Sequence, residues 1–344
     1  KNTTDNTVVI SDVADQTYTG SLIAPNVTVT CNDVELVKDT DYTVSYSNNK
    51  NVGTATISIT GIGDYTGTIK KNFNIVARGI SDTTIGSIPN QTYTGNSISA
   101  LPVITYNGAT LTKDVDYTLS YSNNINVGTA TITITGKGNF KGTTSKTFSI
   151  SARAMTDTSV ANVSSQTYTG NVISPLPTIT YNNKTLKKDT DYTLSYSNNI
   201  NAGTATITIT GKGNFTGTTS KTFSISARAM SDTSVANISS QTYTGNVISP
   251  LPTITYNNKT LKKDTDYTLS YSDNINVGTA TITITGKGNF TGMTSTTFII
   301  TQKSAEKLNI SEIANQIYTG KEIKPNIVVT DTERWGAWWD YSTN

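Results

Sequence analysis

The chain of 344 residues sets 26 Lys and Arg against 24 Asp and Glu, a net charge of +2, with no histidine and one cysteine. The missing histidines exclude Ser-His-Asp and Cys-His catalysis and imidazole-based metal sites. So even a charge balance gives no dense basic face for nucleic acid, and the lone Cys31 cannot form an intramolecular disulfide. Thr, Ser, Asn and Tyr dominate, punctuated by 25 Gly and 8 Pro. β-Branched and aromatic residues between frequent turn formers predict an all-β chain with essentially no helix.

Taken in order, Val8-Val9-Ile10 and Val13 followed by Gln16-Thr-Tyr18-Thr-Gly20 predict a first strand that ends in a glycine turn. Pro25-Asn-Val27-Thr-Val29-Thr, matched by Pro177-Thr-Ile179-Thr-Tyr181, predicts a strand with proline at its start, where a sheet best tolerates it. A polar segment such as 183–191 then leads into a hairpin, clearest over Asp191–Gly217. There Tyr192-Thr-Leu-Ser-Tyr196 alternates large and small side chains, and Ala205, Ile207 and Ile209 alternate with threonines. Period two assigns one set to a core face and the other to water. Residues 197–203, rich in Asn and Gly, tolerate the positive φ that a reversal needs. A last strand over 219–226 places Phe223 and Ile225 on one face.

The Tyr-Thr-Gly triplet recurs at Tyr18, Tyr93, Tyr168, Tyr243 and Tyr318, a constant spacing of 75 residues. This divides the chain into repeats 1–78, 79–153, 154–228 and 229–303, with a partial or divergent fifth repeat over 304–344. Six or seven short strands per repeat, with turns every 8–12 residues, predict small immunoglobulin-like sandwiches. Each is only marginally stable alone. The stretch joining one repeat to the next, such as 223–235, holds no Gly or Pro and no long polar run, so the last strand leads directly into the next repeat. The expected assembly is an elongated rod, ~35–40 Å per repeat and on the order of 150 Å for four. Repeats three and four differ at ten positions, including Val163/Ile238, Asn198/Asp273 and Lys221/Thr296. Near-duplicate neighbours indicate that copy number matters more than any one copy.

Tyr-Thr-Gly, Asp-Tyr-Thr-x-Ser-Tyr-Ser, Gly-Thr-Ala-Thr-Ile-x-Ile-Thr-Gly, Gly-Asn-Phe-x-Gly-Thr and a closing Phe-x-Ile together resemble the bacterial Ig-like repeats close to the MBG type. These occur in tandem on secreted and wall-attached proteins of Gram-positive bacteria. The resemblance covers about 1–303 and weakens after Thr330. It implies an extracellular or cell-wall location and a stalk or adhesin segment, and the family has no shared catalytic residues to carry over.

Four Asp-x-Asp pairs are the most site-like feature: Asp39/Asp41, Asp114/Asp116, Asp189/Asp191 and Asp264/Asp266. Two carboxylates with backbone carbonyls can hold Ca²⁺, the one cofactor to be weighed. The competing expectation, which we favour, is that they cap the turn before the following tyrosine by accepting backbone N–H bonds. A Lys–Asn crosslink from Lys71, Lys146 or Lys221 needs an apolar setting, and Thr296 replaces the lysine in repeat four. The threonine ladders suit a solvated strand face, and the tyrosines a core or a hydrogen-bonded corner. Cys31 is expected in or beside a strand. Gly211–Gly217 lacks P-loop spacing and a following helix. All three tryptophans fall in the tail, Trp335, Trp338 and Trp339 beside Tyr341. An exposed cluster of this kind stacks on sugars or docks a partner, whereas the favoured alternative places it in the core of the fifth repeat or of a following domain.

The sequence therefore predicts a non-catalytic spacer of a bacterial surface or secreted protein that projects another domain. The alternatives are direct binding of a host glycan or protein, or Ig-like repeats of a phage fibre. Partners are a glycan, a host protein, or a neighbouring domain or chain at the tail, with no nucleic acid and no membrane insertion. No apolar run approaches the ~18 residues of a membrane span, and the chain is expected to be part of something longer.

Overall fold

The computed structural model describes residues 8–331. It is all-β, and the helical turns among the described residues are four single 3₁₀ turns, the first at Ile80–Asp82. The described residues form two compact bodies. One runs as far as Ser159 and includes Thr180–Thr193 and Thr210–Thr218. The other takes Val160–Ile179, Leu194–Ile209 and the described residues from Thr219 onward. The strands recur in both bodies at the 75-residue spacing.

Residues 79–153 show the architecture. One sheet has four strands in the order Gln91–Thr92, Thr143–Ser151, Gly128–Gly136, Tyr117–Ser122, the first pair parallel and the others antiparallel. The second sheet has three antiparallel strands, Ala109–Thr110, Ile104–Tyr106 and Thr84–Ile85. Ile104 of the smaller sheet shares one core with Tyr117, Ala130, Ile132, Ile134, Phe148 and Ile150 of the larger. The chain is thus a tandem array of small immunoglobulin-like sandwiches. Ala130, Ile132 and Ile134 are fully buried while the threonines between them are not, as strict alternation requires.

Three details differ from the sequence expectation. The expected first strand is two: Val8–Ile10 joins the small sheet, and Gln16–Thr17 crosses to lie parallel to Thr68–Val76 in the large one. The strand expected from Pro25 begins only at Val29, because Pro25 offers no donor and the carbonyl of Pro25 is taken by the Tyr46 hydroxyl at 2.7 Å. The polar segment carries a short strand of its own, Val34–Glu35 in repeat one and Ala109–Thr110 in repeat two.

The hairpin turn explains its own composition. Asn48, Asn123, Asn198 and Asp273 take φ of 54–56°, the left-handed region that Asn and Asp tolerate. The next asparagine pins the crossing segment: Asn49 Nδ2 donates to the Ile23 carbonyl at 2.8 Å, while Ile23 N donates to Asn49 O. Asn124, Asn199 and Asn274 do the same to Ile98, Ile173 and Ile248.

Candidate functional site

The Asp pairs sit on the turn before the hairpin. Asp41 Oδ2 accepts the Val37 N–H at 2.7 Å, and Asp116, Asp191 and Asp266 accept the equivalent N–H of Thr112, Lys187 and Lys262 at 2.8 Å. The first members, Asp39, Asp114, Asp189 and Asp264, take φ of 66–67°. Their carbonyls receive a lysine in repeats two to four: Lys137 on Asp114, Lys212 on Asp189, Lys287 on Asp264. Each pair therefore has a turn-forming role, one carboxylate as cap and one residue in the left-handed region. Among the described residues no three or more Asp, Glu, Cys or His side chains converge as metal ligands. Lys71 ion-pairs with Asp12, which is 97% exposed, so this lysine lacks the apolar surroundings a crosslink would need. Trp335, Trp338, Trp339 and Tyr341 lie outside the described residues.

Aromatic and charged side chains also converge where one repeat meets the next. After Thr68–Val76 the chain continues into Arg78–Gly79, which pairs in parallel with Phe140–Lys141 of the following repeat. Arg78 Nε donates to the Tyr18 carbonyl at 2.8 Å and Nη1 to Asp82 Oδ2 at 2.9 Å, while its guanidinium lies 5.5 Å from the ring centroid of Tyr106. Tyr18 stacks on Tyr106 at 6.2 Å and meets the edge of Phe140 at 5.5 Å. Tyr106 and Phe140 meet edge to face at 5.5 Å, which closes a triangle of three rings under one cation. Burial raises the pKa of the Tyr18 hydroxyl above its ordinary value, and the negative charge of Asp116 adds to the shift.

A second cluster flanks the triangle. Asn139 Oδ1 accepts the Val52 N–H at 2.9 Å and Asn139 Nδ2 donates to Asn51 Oδ1 at 3.2 Å, while Asn107 Nδ2 donates to Thr19 O at 2.9 Å. The same set recurs twice. Arg153 joins Tyr93, Tyr181 and Phe215 within the first body, and Arg228 joins Tyr168, Tyr256 and Phe290 within the second. Asn214 and Asn289 repeat the role of Asn139 on Val127 and Ala202. The later joints add one donor: Lys184 Nζ reaches the Gly95 carbonyl, and Lys259 Nζ the Gly170 carbonyl at 2.8 Å.

The Tyr-Thr-Gly triplet, the third asparagine of the hairpin turn and the Gly-Asn-Phe motif are thus three parts of one joint. Sequence reasoning treated them as separate turn and core signals and left Arg78, Arg153 and Arg228 without a role. A signal was present in how the repeats depart from one another. Repeat one, at the positions of Tyr106, Asn139 and Phe140, has Cys31, Asp64 and Tyr65, so these three receiving positions change together, while Asn107 keeps its counterpart in Asn32. Cys31 is buried in the core of its own repeat.

Chemically, a joint of this kind holds two domains in register; it presents no nucleophile beside a base. A surface hollow of about 520 Å³ beside the second joint is lined by residues 123–129, none of them acidic or basic. Among the described residues no helix is long and apolar enough to cross a membrane.

No family model and no curated protein matches the chain. Among solved structures, the protocadherin gammaB7 EC3-6 cis-dimer aligns with 86% of the chain and 99% of its own at 10% identity and a TM-score of 0.21. Sidekick-1 immunoglobulin domains 1–5 align with 86% and 81% at 8% identity and a TM-score of 0.23. The N-terminal eight Ig domains of Down Syndrome Cell Adhesion Molecule align with 86% and 47% at 9% identity and a TM-score of 0.19. Scores of this size carry no argument about this chain.

Proposed function

We propose that the chain is a non-catalytic spacer from a bacterial secreted or cell-surface protein, of the Gram-positive adhesin kind that its repeats resemble, holding another domain away from the surface. The observation that carries this reading is the joint: the same arginine, two tyrosines and phenylalanine meet three times at 75-residue intervals. At each of these joints an arginine and a tyrosine of one repeat meet a tyrosine and a phenylalanine of the next. A flexible tether needs no such contacts, whereas a spacer gains reach from joints that resist bending. The Asp pairs serve as turn caps in this reading, with no calcium required.

Small-angle scattering of the full chain tests the proposal. The expected particle is extended, on the order of 150 Å in its longest dimension for four repeats of small-domain size. A compact particle with a radius of gyration near that of a single globule of equal length, about 20 Å, would overturn it.

A further inference from the structure

The joint after repeat four is built from different chemistry. The position of Arg78, Arg153 and Arg228 is Lys303; that of Asp82, Asp157 and Asp232 is Lys307; and that of Tyr106, Tyr181 and Tyr256 is Asp331. In the first three joints the arginine finds its carboxylate four residues along its own chain, at 2.9–3.2 Å. Lys307 removes that acid. The replacement comes from the strand of the next segment: Asn309–Ile310 pairs antiparallel with Val329–Thr330, and Asp331, directly after, places Oδ1 2.6 Å from Lys303 Nζ. The pair is well shielded, with side-chain exposures of 6% and 17%, against 28% for each arginine of the other joints.

We propose that Lys303 and Asp331 form a separate docking code, by which repeat four accepts as its successor a domain presenting a carboxylate where repeats two to four present tyrosine. The physical basis is the difference between the two cations. A guanidinium is a planar fork that can donate to the Tyr18 carbonyl and Asp82 while lying over Tyr106; an ammonium is a compact, strongly hydrated charge that gains little from a ring and needs an anion when shielded. A repeat that ends in arginine and a repeat that offers tyrosine can follow one another in any number. Repeat four ends in lysine and closes that run, and the segment after it belongs to a different class of successor. This inference concerns the joint and stands or falls apart from the spacer reading, which scattering tests separately.

The test uses full-length chains and hydrogen exchange, read at Ser311 N–H, which donates to the Val328 carbonyl, and at the flanking strand 309–310. Asp331→Tyr is expected to speed exchange there by about tenfold or more, because the shielded contact between Lys303 and the Asp331 carboxylate is lost. Strands Gly278–Gly286 and Met293–Thr301 are expected to keep their rates, which shows that repeat four remains folded. Supplying the arginine, its acid and the tyrosine with Lys303→Arg, Lys307→Asp and Asp331→Tyr together is expected to recover most of the lost protection. Unchanged exchange in Asp331→Tyr, or a triple variant that exchanges as fast as the single one, would overturn the proposal.

Discussion

At the scale of the residue, the joint turns on one arginine. Arg153 donates from Nε to the Tyr93 carbonyl at 3.1 Å and from Nη1 to Asp157 at 3.2 Å, and lies 5.6 Å from the centroid of Tyr181. A charged hydrogen bond contributes ~1.5–3 kcal/mol and a cation–π contact ~0.5–2 kcal/mol. The ion pair adds little, since Asp157 is 46% exposed. Arg153→Ala is therefore expected to destabilise the joint by about 2–3 kcal/mol, read by urea unfolding, with Arg153→Lys recovering less than half. Equal stability of Arg153→Lys and the parent would show that the charge alone suffices. The tyrosines whose carbonyls the arginines hold set an alkaline limit. Burial raises the pKa of Tyr18, Tyr93 and Tyr168 above 10.0, so the folded chain holds these protons longer than the unfolded one. A raised folded pKa on an acid gives stability that is complete below pH 10 and declines as pH rises from 10 through the folded value. Spectrophotometric titration should show tyrosines ionising late, followed by unfolding in that window; ionisation of all eighteen with an unperturbed profile would contradict it.

At the scale of the element, the strand pattern was legible because it rests on local rules. Strict alternation in Gly128–Gly136 assigns Ala130, Ile132 and Ile134 to the core, and the buried set is the same. The Asn and Gly of the hairpin turn point to positive φ, and Asn123 and Gly128 have it. The joint was less legible, since its arginine and rings lie 28 to 122 positions apart and period-two patterns carry no information on which core a ring enters. Tyr18 looks like a core residue of its own repeat, yet it also packs on the core around Ile104 and Phe148 of the next. Gly136 is a second position that the period-two pattern does not explain. It is needed for a close approach: a Cβ there would stand 2.7 Å from Lys141 N, the strand that pairs with Arg78–Gly79. Gly136→Ala must push backbone against backbone, and overpacking of that kind costs about 1–3 kcal/mol. Thermal unfolding should fall for Gly136→Ala and stay near the parent for Thr131→Ala on the partly exposed face of the same strand; similar melting of the two variants would sink this account of the glycine.

At the scale of the whole molecule, the joints decide whether the repeats unfold singly or in concert. A small domain of 75 residues buries too little apolar surface to be more than marginally stable alone. In a linear array the remainder comes from nearest-neighbour interfaces, and the stability of the array is the sum of repeat and interface contributions. Here the interface is asymmetric, because each of repeats one to three lends a tyrosine to the aromatic cluster beside its successor's core, through Tyr18, Tyr93 and Tyr168. A change in one repeat should therefore be felt in the next. The combined variant Arg78→Ala, Arg153→Ala, Arg228→Ala removes the cation from all three joints and leaves every core side chain in place. Calorimetry of the parent is expected to show repeats melting together over a narrow range. The triple variant should melt earlier and over a visibly broader range, with a van't Hoff enthalpy that falls below the calorimetric one as coupling is lost. If the triple variant melts at the parent's temperature and width, the arginines contribute nothing to coupling, and the stiffness proposed for the array must come from the rings and asparagines alone.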